Sequence, residues 1–420
     1  MKVEILNASV EFLQRPFVTP LVLSTGQITQ ITEARVVVTV SVEGNRATGR
    51  GSIYLSDLWA WPDPALGHTF RDDALRKLCI DIATHIRQWT GNGPAHPLEL
   101  GLRLHEHVCH SDSPVAALLA RAMCASPFDA AIHDAAGIAT DRSAFDFYHE
   151  QVPLPSADRY FAQGAARAIS DALVPRRREL PAWRIVGSND PLDEQFKAII
   201  DQHGYRCFKL KIHGKDDRED CDRTIAVFRA ARDAGARNAT LSVDSNEANP
   251  HAQSVLNYLN RLKRGDPDAF AALAYLEQPT SRDILNQRHE WHEVSKMKPV
   301  MLDEALTSLD LLPQARADGW NGLALKTCKG HSFALVAAAW ARVNGMLVSM
   351  QDLTNPGYSA IHSALMASRL DTINGVELNS MQFTPDANAE WLPRLSELFE
   401  LRDGVHRLPA VEPVGLGSIL

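Results

Sequence analysis

Five short apolar runs between residues 207 and 326 constrain the fold most strongly, because each of them ends on an ionisable residue. They are Cys207–Lys211, Thr240–Asp244, Leu273–Glu277, Pro299–Asp303 and Gly322–Lys326. Their length and composition are typical of buried parallel strands. Segments with helical spacing, such as Arg218–Ala234, separate them. This alternation predicts βα units.

Three further runs extend the pattern to eight predicted strands. The series begins at Trp183, and strands follow at about 206–211, 240–244, 273–277, 299–303, 322–326, 346–351 and 375–379. Eight such units predict a closed parallel barrel whose strands end together on one face, where active sites of this architecture lie. We therefore expect three parts: a first domain over 1–182, the barrel over 183–383, and a C-terminal segment over 384–420 that returns to the first domain.

The first domain reads as strands followed by helices. Residues 1–62 predict an antiparallel meander, interrupted by two loop-like segments, Pro16–Thr29 and Ser56–Pro64. Residues 69–147 have helical spacing, and residues 148–182 look irregular. The second loop-like segment contains Trp59 and Trp61, predicted to be exposed, which suit either a lid over the barrel or simple loop packing.

Composition excludes several classes of protein. The length of 420 residues suffices for a barrel plus a second domain. A formal net charge of -8 gives no support for a nucleic-acid partner. The six cysteines show no paired spacing, which predicts reduced thiols and a cytoplasmic location. Neither a signal peptide nor an apolar run of membrane-spanning length is evident, so no membrane partner is expected.

The carboxylates that end three neighbouring strands predict a metal site. Asp244, Glu277 and Asp303 each close one βα unit, so they should meet at the barrel mouth. Three carboxylates in one place repel each other unless a cation lies among them. An all-oxygen set without His or Cys suits Mg²⁺, or Mn²⁺ as the alternative. The competing interpretation is that each carboxylate pairs with a nearby lysine or caps the following helix.

The lysines at the strand ends predict acid–base chemistry. Lys209 and Lys211 are two residues apart, so both point into the barrel. Each should lower the pKa of the other, which would suit a general base near neutral pH. Lys326 ends the sixth strand, across the barrel from the second. Asp352 and Glu377, at the ends of the seventh and eighth strands, are candidate substrate contacts.

Two further clusters carry less weight. His105-Glu-His107-Val-Cys-His110 lacks the second histidine of the His-Glu-x-x-His zinc motif, because Cys109 occupies that position. A His-x-His metal pair remains an alternative to solvated or capping histidines. The run Arg176-Arg-Arg-Arg-Glu suits either a phosphate site or an exposed connector.

These motifs together resemble the enolase superfamily, specifically its muconate-lactonizing-enzyme-like subgroup within the mandelate racemase/muconate lactonizing enzyme family. The matching motifs lie in order on successive strands: Lys209-x-Lys211, Asp244-x-Asn246, Glu277-Gln-Pro279, Asp303-Glu304-Ala305 and Lys326. Outside them, Pro16–Leu21 resembles the family's first specificity loop. Phe128–Gly137 resembles its helical motif, and Pro413–Gly417 its C-terminal segment.

The resemblance implies a (β/α)7β barrel, a modified TIM barrel, under an α+β capping domain made from N- and C-terminal segments. It implies Mg²⁺ on the three carboxylates, Lys211 and Lys326 as acid and base, and Lys209 in support. The implied reaction is abstraction of a proton α to a carboxylate through an enediolate, which the metal stabilises. The remaining candidate substrate contacts are Asn246, Glu304 and Trp59. A small carboxylate substrate and a homo-oligomer are the expected partners.

Departures from the family pattern keep the substrate open. The eighth strand carries Glu377-Leu-Asn379 where dipeptide epimerases usually have Asp-x-Asp, and Asp352 stands where members often have Glu. Lys326-Thr-Cys-Lys329 is followed by Gly-His rather than by x-Gly-Gly. Racemisation or epimerisation is the leading hypothesis. The alternatives are a one-base dehydratase or cycloisomerase acting on an acid sugar or related acid, and a non-catalytic binding protein descended from the same fold.

Two unrelated enzyme classes fit the sequence less well. A Schiff-base aldolase also uses a barrel lysine but needs no carboxylate triad. The segment Gly330-His-Ser332 lacks the final glycine of a nucleophile elbow.

Overall fold

A three-stranded antiparallel sheet opens the chain in this structure, a computed structural model that describes residues 1–23, 26–110, 116–352 and 357–420. Its strands lie in the order β1–β2–β3, and helices pack on it. These elements are β1 (Val3–Leu23), β2 (Gly26–Val42), β3 (Asn45–Tyr54), α1 (Asp57–Ala60), α2 (His68–Trp89), α3 (Pro97–His110), α4 (Leu118–Thr140), α5 (Pro155–Asp158) and α6 (Ala165–Ala172).

Helix α4 lies directly against the sheet because two glycines of β3 leave room for it. A Cβ atom on Gly49 would lie 2.2 Å from the backbone nitrogen of Ala135, and one on Gly51 would lie 2.1 Å from the carbonyl oxygen of Pro127. Both distances are far below van der Waals contact, so only glycine permits this approach. Small side chains along α4 complete the close packing, and nearly the whole helix is buried.

The short strand β4 (Glu179–Pro181) leads into a barrel of eight parallel strands. The barrel elements are β5 (Trp183–Val186), α7 (Glu194–His203), β6 (Cys207–Lys211), α8 (Asp217–Asp233), β7 (Thr240–Asp244), α9 (Ala252–Gly265), α10 (Pro267–Ala272), β8 (Leu273–Glu277), α11 (His292–Ser295), β9 (Val300–Leu302), α12 (Leu312–Ala317), β10 (Gly322–Lys326), α13 (His331–Val343), β11 (Leu347–Gln351), α14 (Tyr358–Arg369) and β12 (Val376–Glu377). The strands neighbour each other in chain order, and a parallel bridge between Ala182 and Val376 brings the last strand to the first. The predicted modified TIM barrel is confirmed.

The C-terminal segment, residues 384–420, contacts the first domain. It follows α15 (Ser380–Phe383) and contains α16 (Leu392–Phe399) and β13 (Val405–Arg407), and β13 pairs with β4. Further on, the Asp134 carboxylate of α4 accepts hydrogen bonds from the backbone N–H groups of Leu416, at 2.8 Å, and Arg50, at 2.9 Å. One buried side chain therefore joins the first sheet to the last residues.

Three predictions for the first domain are wrong in whole or in part. Ser56–Pro64 is not wholly a loop, because it contains the single turn of α1. The described residues of Pro16–Thr29 are not a loop, because β1 runs to Leu23 and β2 begins at Gly26. Strand β1 is an edge strand, where prolines are tolerated, and its pairing slips between Pro16 and Leu21. Residues 148–182 are not wholly irregular, since they contain α5, α6 and β4.

Within residues 1–23, 26–110, 116–352 and 357–420, no helix is both long and apolar enough to cross a membrane.

Candidate active site

The strand register places charged residues side by side at the barrel mouth. Lys211, Asp244 and Glu277 are register partners across β6, β7 and β8. Lys326, Gln351 and Glu377 form a second row across β10, β11 and β12. Alternation along β6 turns Lys209 and Lys211 inward, whereas Phe208 packs outward against Phe196 of α7. The structure thus brings together the residues that the sequence singled out.

Lys209 lies at the bottom of this site, held by several acidic and amide groups. Its Nζ is 2.7 Å from Glu277 Oε1, 3.2 Å from Glu377 Oε2 and 3.4 Å from Asp244 Oδ2. It also donates a hydrogen bond to the Gln351 side-chain oxygen at 3.2 Å. With 2% of its side chain exposed, Lys209 is a fixed positive charge.

Lys211 and Lys326 each pair with a different carboxylate. Lys211 Nζ lies 2.5 Å from Asp244 Oδ2 and donates to Asn246 Oδ1 at 3.0 Å. Lys326 Nζ lies 2.6 Å from Asp303 Oδ2. The exposed fractions of the two side chains are 12% and 6%.

Lys329, one turn beyond Lys326, holds the same aspartate from the other side. Its Nζ lies 2.9 Å from Asp303 Oδ1 and donates to the Asp303 carbonyl oxygen at 2.5 Å. Asp303 is therefore held between two buried lysines.

Burial and ion pairing shift the pKa values of these groups in opposite directions. Burial, reinforced by the charges of Asp244 and Asp303, raises the pKa of Glu277 to about 8, although Lys209 opposes the shift. Burial would likewise raise the pKa of Asp303, but Lys326 and Lys329 outweigh it and hold that pKa far below its usual range. Of Asp244, Glu277 and Asp303, Glu277 is therefore the carboxylate whose negative charge is least compensated by the neighbouring lysines.

The prediction that Lys209 has a lowered pKa is wrong, and the pKa of Lys326 moves in the same upward direction. Burial and the charge of Lys209 lower the pKa of Lys326, but the carboxylates of Asp303, Glu277 and Glu304 together outweigh them, so the pKa is raised. The pKa of Lys209 is also raised well above its usual value, because Glu277, Glu377 and Asp244 overcome its burial. The sequence argument considered the neighbouring positive charges and not the closer negative ones.

Asp244, Glu277 and Asp303 supply only carboxylate oxygens, without His or Cys. These are the ligand atoms that a hard divalent cation prefers. The present arrangement of the three side chains is that of an ion-paired cluster. Lysine ammonium groups contact Asp244, Glu277 and Asp303, as the competing interpretation of the sequence held. Over the described ranges, no group of three or more His, Cys, Asp or Glu side chains has the spacing to hold a metal. A cation would have to displace the ammonium groups.

An open cavity, whose empty volume of about 500 Å³ includes the solvent at its mouth, lies above the lysines. Its floor is mainly polar and its roof is mainly apolar. The floor, from the barrel, includes Ile185, Lys209, Lys211, Asn246, Lys326, Asp352 and Glu377, and the roof, from the first domain, includes Phe17, Leu21, Leu23, Ile28, Ile31, Ser56 and Trp59. Residues of Pro16–Thr29 and of Ser56–Pro64, the two segments predicted to be loops, therefore line the same cavity as Lys211.

Trp59 connects the roof to the floor. It is buried, contrary to the expectation that it is exposed, and its indole N–H donates to Glu304 Oε1 at 2.9 Å. Lys326 Nζ lies 4.8 Å from the centre of the Trp59 ring. Trp61, by contrast, is half-buried and packs against Phe70. Only Trp59 is built into the site.

The candidate substrate contacts divide into two groups. Asn246, Asp352, Glu377 and Trp59 line the cavity. Glu304 is buried beside it and accepts a hydrogen bond from Asn246 Nδ2 at 3.2 Å as well as from Trp59. Burial and the charge of Asp303 raise the pKa of Glu304 to about 7. These contacts indicate that Glu304 supports Trp59 rather than binding the substrate directly.

Sequence reasoning assigned no part to Lys329, Gln351, Gln278 or Arg282. Gln351 donates to Glu277 Oε2 at 2.6 Å. Arg282 donates to the backbone oxygen of Trp59 at 3.1 Å. Gln351 could have been found as the last residue of its strand, and Lys329 from its spacing after Lys326. Nothing local in the sequence marks Arg282.

The two weaker clusters do not join this site. His105 is buried and stacks on Phe333 at 4.7 Å between ring centres, while His107 stacks on Trp89 at 4.8 Å. His105 is therefore neither solvated nor capping. Arg176 donates to the carbonyl oxygens of residues 409 and 410, and Arg177 pairs with Asp371. These contacts are those of a connector.

Comparisons with known proteins agree with this architecture. A family model described as enolase C-terminal domain-like matches residues 192–418, more than half of the chain. Muconate lactonizing enzyme from Pseudomonas fluorescens, solved with muconolactone, has a TM-score of 0.66 and 19% identity over 99% of this chain and 96% of its own. No protein of curated function matches the sequence significantly.

Two other solved structures show the same fold. N-succinyl Arg/Lys racemase from Bacillus cereus has a TM-score of 0.66 and 18% identity, covering 99% of this chain and 95% of its own. An enolase from Bradyrhizobium, solved with magnesium and mandelic acid, has a TM-score of 0.65 and 16% identity, covering 99% and 96%. Members of the superfamily are enzymes that bind Mg²⁺, and they include racemases, epimerases and cycloisomerases. This chain belongs to the enolase superfamily, in its mandelate racemase/muconate lactonizing enzyme-like subgroup.

Proposed function

We propose that the protein is a Mg²⁺-dependent racemase or epimerase that removes and returns the proton α to a carboxylate. The observation that carries the proposal is the placement of Lys211 and Lys326. Their strands, β6 and β10, have three strands between them on either side of the barrel, and both side chains line one cavity. A planar intermediate held between them would present one face to each lysine.

The three carboxylates and three lysines at the barrel mouth would have distinct parts in this reaction. Asp244, Glu277 and Asp303 would hold Mg²⁺, or Mn²⁺, which supplies stabilisation of the negative charge that develops on the substrate carboxylate. Lys211 Nζ and Lys326 Nζ carry the protons: one accepts the α-proton, and the other donates to the opposite face. Lys209, held by Glu277, Glu377 and Gln351, stays charged and favours binding of the carboxylate.

The roof suggests the kind of substrate. Six apolar or aromatic residues of the first domain face the cavity, and no charged residue is among its described lining residues from β1 and β2. We infer a small carboxylate whose distal group is apolar. Closure of the segments 16–29 and 51–64 over the bound substrate would exclude water from the reacting atoms.

A second function is supported by the difference between the two lysines. Lys326 lies beneath the Trp59 ring in a buried pair with Asp303, whereas Lys211 also borders the outer groove that contains His213 and Lys215. If Lys326 acts only through its charge, Lys211 is the sole base, and the reaction is an elimination or a cycloisomerisation.

Exchange of the α-proton in deuterated water distinguishes these functions. Wild type, Lys211→Ala and Lys326→Ala are incubated with both enantiomers of α-substituted carboxylates bearing apolar groups, and deuterium uptake is followed by NMR. Lys263→Ala, on the exposed face of α9, is the control. For a racemase, each site variant loses exchange of one enantiomer and keeps exchange of the other.

The other outcomes identify the alternatives. If Lys211→Ala loses exchange of both enantiomers and Lys326→Ala retains exchange, the one-base reaction is indicated. Exchange of both enantiomers in both variants would show that neither lysine is the base. Binding of carboxylates to wild type without exchange of any of them would indicate a non-catalytic binding protein.

A further inference from the structure

Gln278 joins the ends of three neighbouring barrel strands. Its side-chain oxygen accepts hydrogen bonds from the backbone N–H groups of Asp303, at 2.9 Å, and Ala305, at 3.1 Å. Its side-chain nitrogen donates to the Thr280 carbonyl oxygen at 3.0 Å. Its backbone N–H donates to Met301, and its carbonyl oxygen accepts from Glu247. The side-chain oxygen and nitrogen and the backbone N–H and carbonyl of this one buried residue thus all have partners in β9 or in the loops of the site.

The backbone of Gln278 has a conformation that non-glycine residues rarely adopt. Its φ is +31°, and it directly follows Glu277, the last residue of β8. Surrounding structure must hold a residue in this region, and such residues concentrate at functional sites. In this conformation its side chain points along the barrel mouth toward the next strand rather than into the helical layer, as its bonds to Asp303 and Ala305 show.

The two N–H groups that Gln278 binds need a partner from outside the sheet. Strand β9 ends at Leu302, so Asp303 lies beyond its ladder. A buried N–H without an acceptor is costly, and Gln278 supplies that acceptor. The Asp303 carbonyl oxygen is held in turn by Lys329. Gln278 therefore links the position of the Glu277 main chain to that of Asp303, whose carboxylate belongs to the neighbouring strand.

We propose that Gln278 is a positioning residue that sets the relative geometry of the Glu277 and Asp303 carboxylates, and that cation affinity depends on it. The inference rests on the proposed function, because those carboxylates are two of the three proposed metal ligands. Groups that orient metal ligands without touching the metal typically contribute 10- to 100-fold to its affinity.

The test uses Gln278→Met, which keeps the length of the side chain and removes its acceptor. The matched control is Asn321→Leu, because the Asn321 side-chain oxygen accepts from the Val300 N–H at 2.8 Å at the opposite end of β9. Mn²⁺ affinity is measured by calorimetry and EPR, and stability by urea unfolding. We expect Gln278→Met to weaken Mn²⁺ binding at least about tenfold. Asn321→Leu should lose stability and keep its affinity within about twofold.

A second readout in metal-free protein separates this inference from the proposed function. Amide hydrogen exchange at Asp303 and Ala305 should be faster in Gln278→Met than in wild type and unchanged in Asn321→Leu. Wild type that binds no Mn²⁺ would refute the metal site alone, and the amide exchange would still decide the positioning.

The positioning role of Gln278 would be refuted if Gln278→Met had the same Mn²⁺ affinity and the same amide protection as the wild-type protein. If that variant does not fold, the same comparison is made with Gln278→Asn, which withdraws the acceptor by one methylene and should show the same losses.

Discussion

Replacing Trp59 by Phe tests the connection between roof and floor. Phe keeps an aromatic ring over Lys326 but removes the indole N–H that donates to Glu304 at 2.9 Å. Glu304 Oε1 would keep only the bond from Asn246, while Oε2 has no hydrogen bond within the described structure. A lost hydrogen bond to a buried charged group costs about 1.5–3 kcal/mol, and the smaller ring leaves a void. We expect Trp59→Phe to lower the free energy of unfolding by about 2–4 kcal/mol.

The measurement is urea unfolding of metal-free protein at pH 8.5, followed by circular dichroism. Above a pKa of about 7, Glu304 is ionised and the lost bond is at its strongest. At pH 6 the carboxyl carries a proton, so the difference between variant and wild type should shrink. Trp61→Phe, in the same segment but packed against Phe70, is the control and should cost less than about 1 kcal/mol. Equal losses in the two variants, or a loss independent of pH, would refute the role of the Trp59 N–H.

Three further predictions concern the metal, the pH dependence and the packing. Glu277→Gln should keep the fold and lose at least about tenfold in Mn²⁺ affinity by calorimetry, and wild-type activity should disappear on chelation; unchanged affinity would exclude Glu277 as a ligand. Burial lowers the pKa of His406 to about 4, so protonation of the unfolded chain should reduce stability by about 1.4 kcal/mol per pH unit as pH falls from about 6.5 to about 4. In a plot of the free energy of unfolding against pH, His406→Gln should lack this contribution, and His110→Gln is the control for replacing a histidine by glutamine. Parallel slopes for wild type and His406→Gln would contradict the prediction. Gly49→Ala should cost about 3 kcal/mol or more by urea unfolding, because its Cβ would overlap the backbone of α4; Gly67→Ala, where a Cβ meets nothing within 4 Å, should not, and comparable losses would disprove the packing argument.

The barrel was predictable because its signal is repeated and local. Each strand is a short apolar run, and a charged end marks where it leaves the core. This pattern correctly predicted the last residues of four strands, which are Lys211, Asp244, Glu277 and Lys326. The convergence of those side chains followed from the parallel topology alone. Their metal-binding and proton-transfer roles remain predictions.

Features that depend on distant neighbours were not predictable. Pro16 looked like a loop signal because its position on an edge strand cannot be read locally. Trp59 looked exposed because its partners, Glu304 and Lys326, lie more than 200 residues away. The raised pKa of Lys326 depends on the distance to Asp303. The left-handed backbone of Gln278 is set by bonds to two other strands.

The hydrogen bonds of Asp134 have a consequence for synthesis of the protein. About 280 residues separate Asp134 from Leu416, whose N–H it binds. At 5–20 residues per second, a ribosome needs roughly 15 to 60 s to cover that distance. During this interval the buried carboxylate of α4 lacks its donors from the last segment, the N–H groups of Leu416 and Ser418, and the surface that this segment covers stays open to chaperones. The first sheet and its helices are thus made early but completed late.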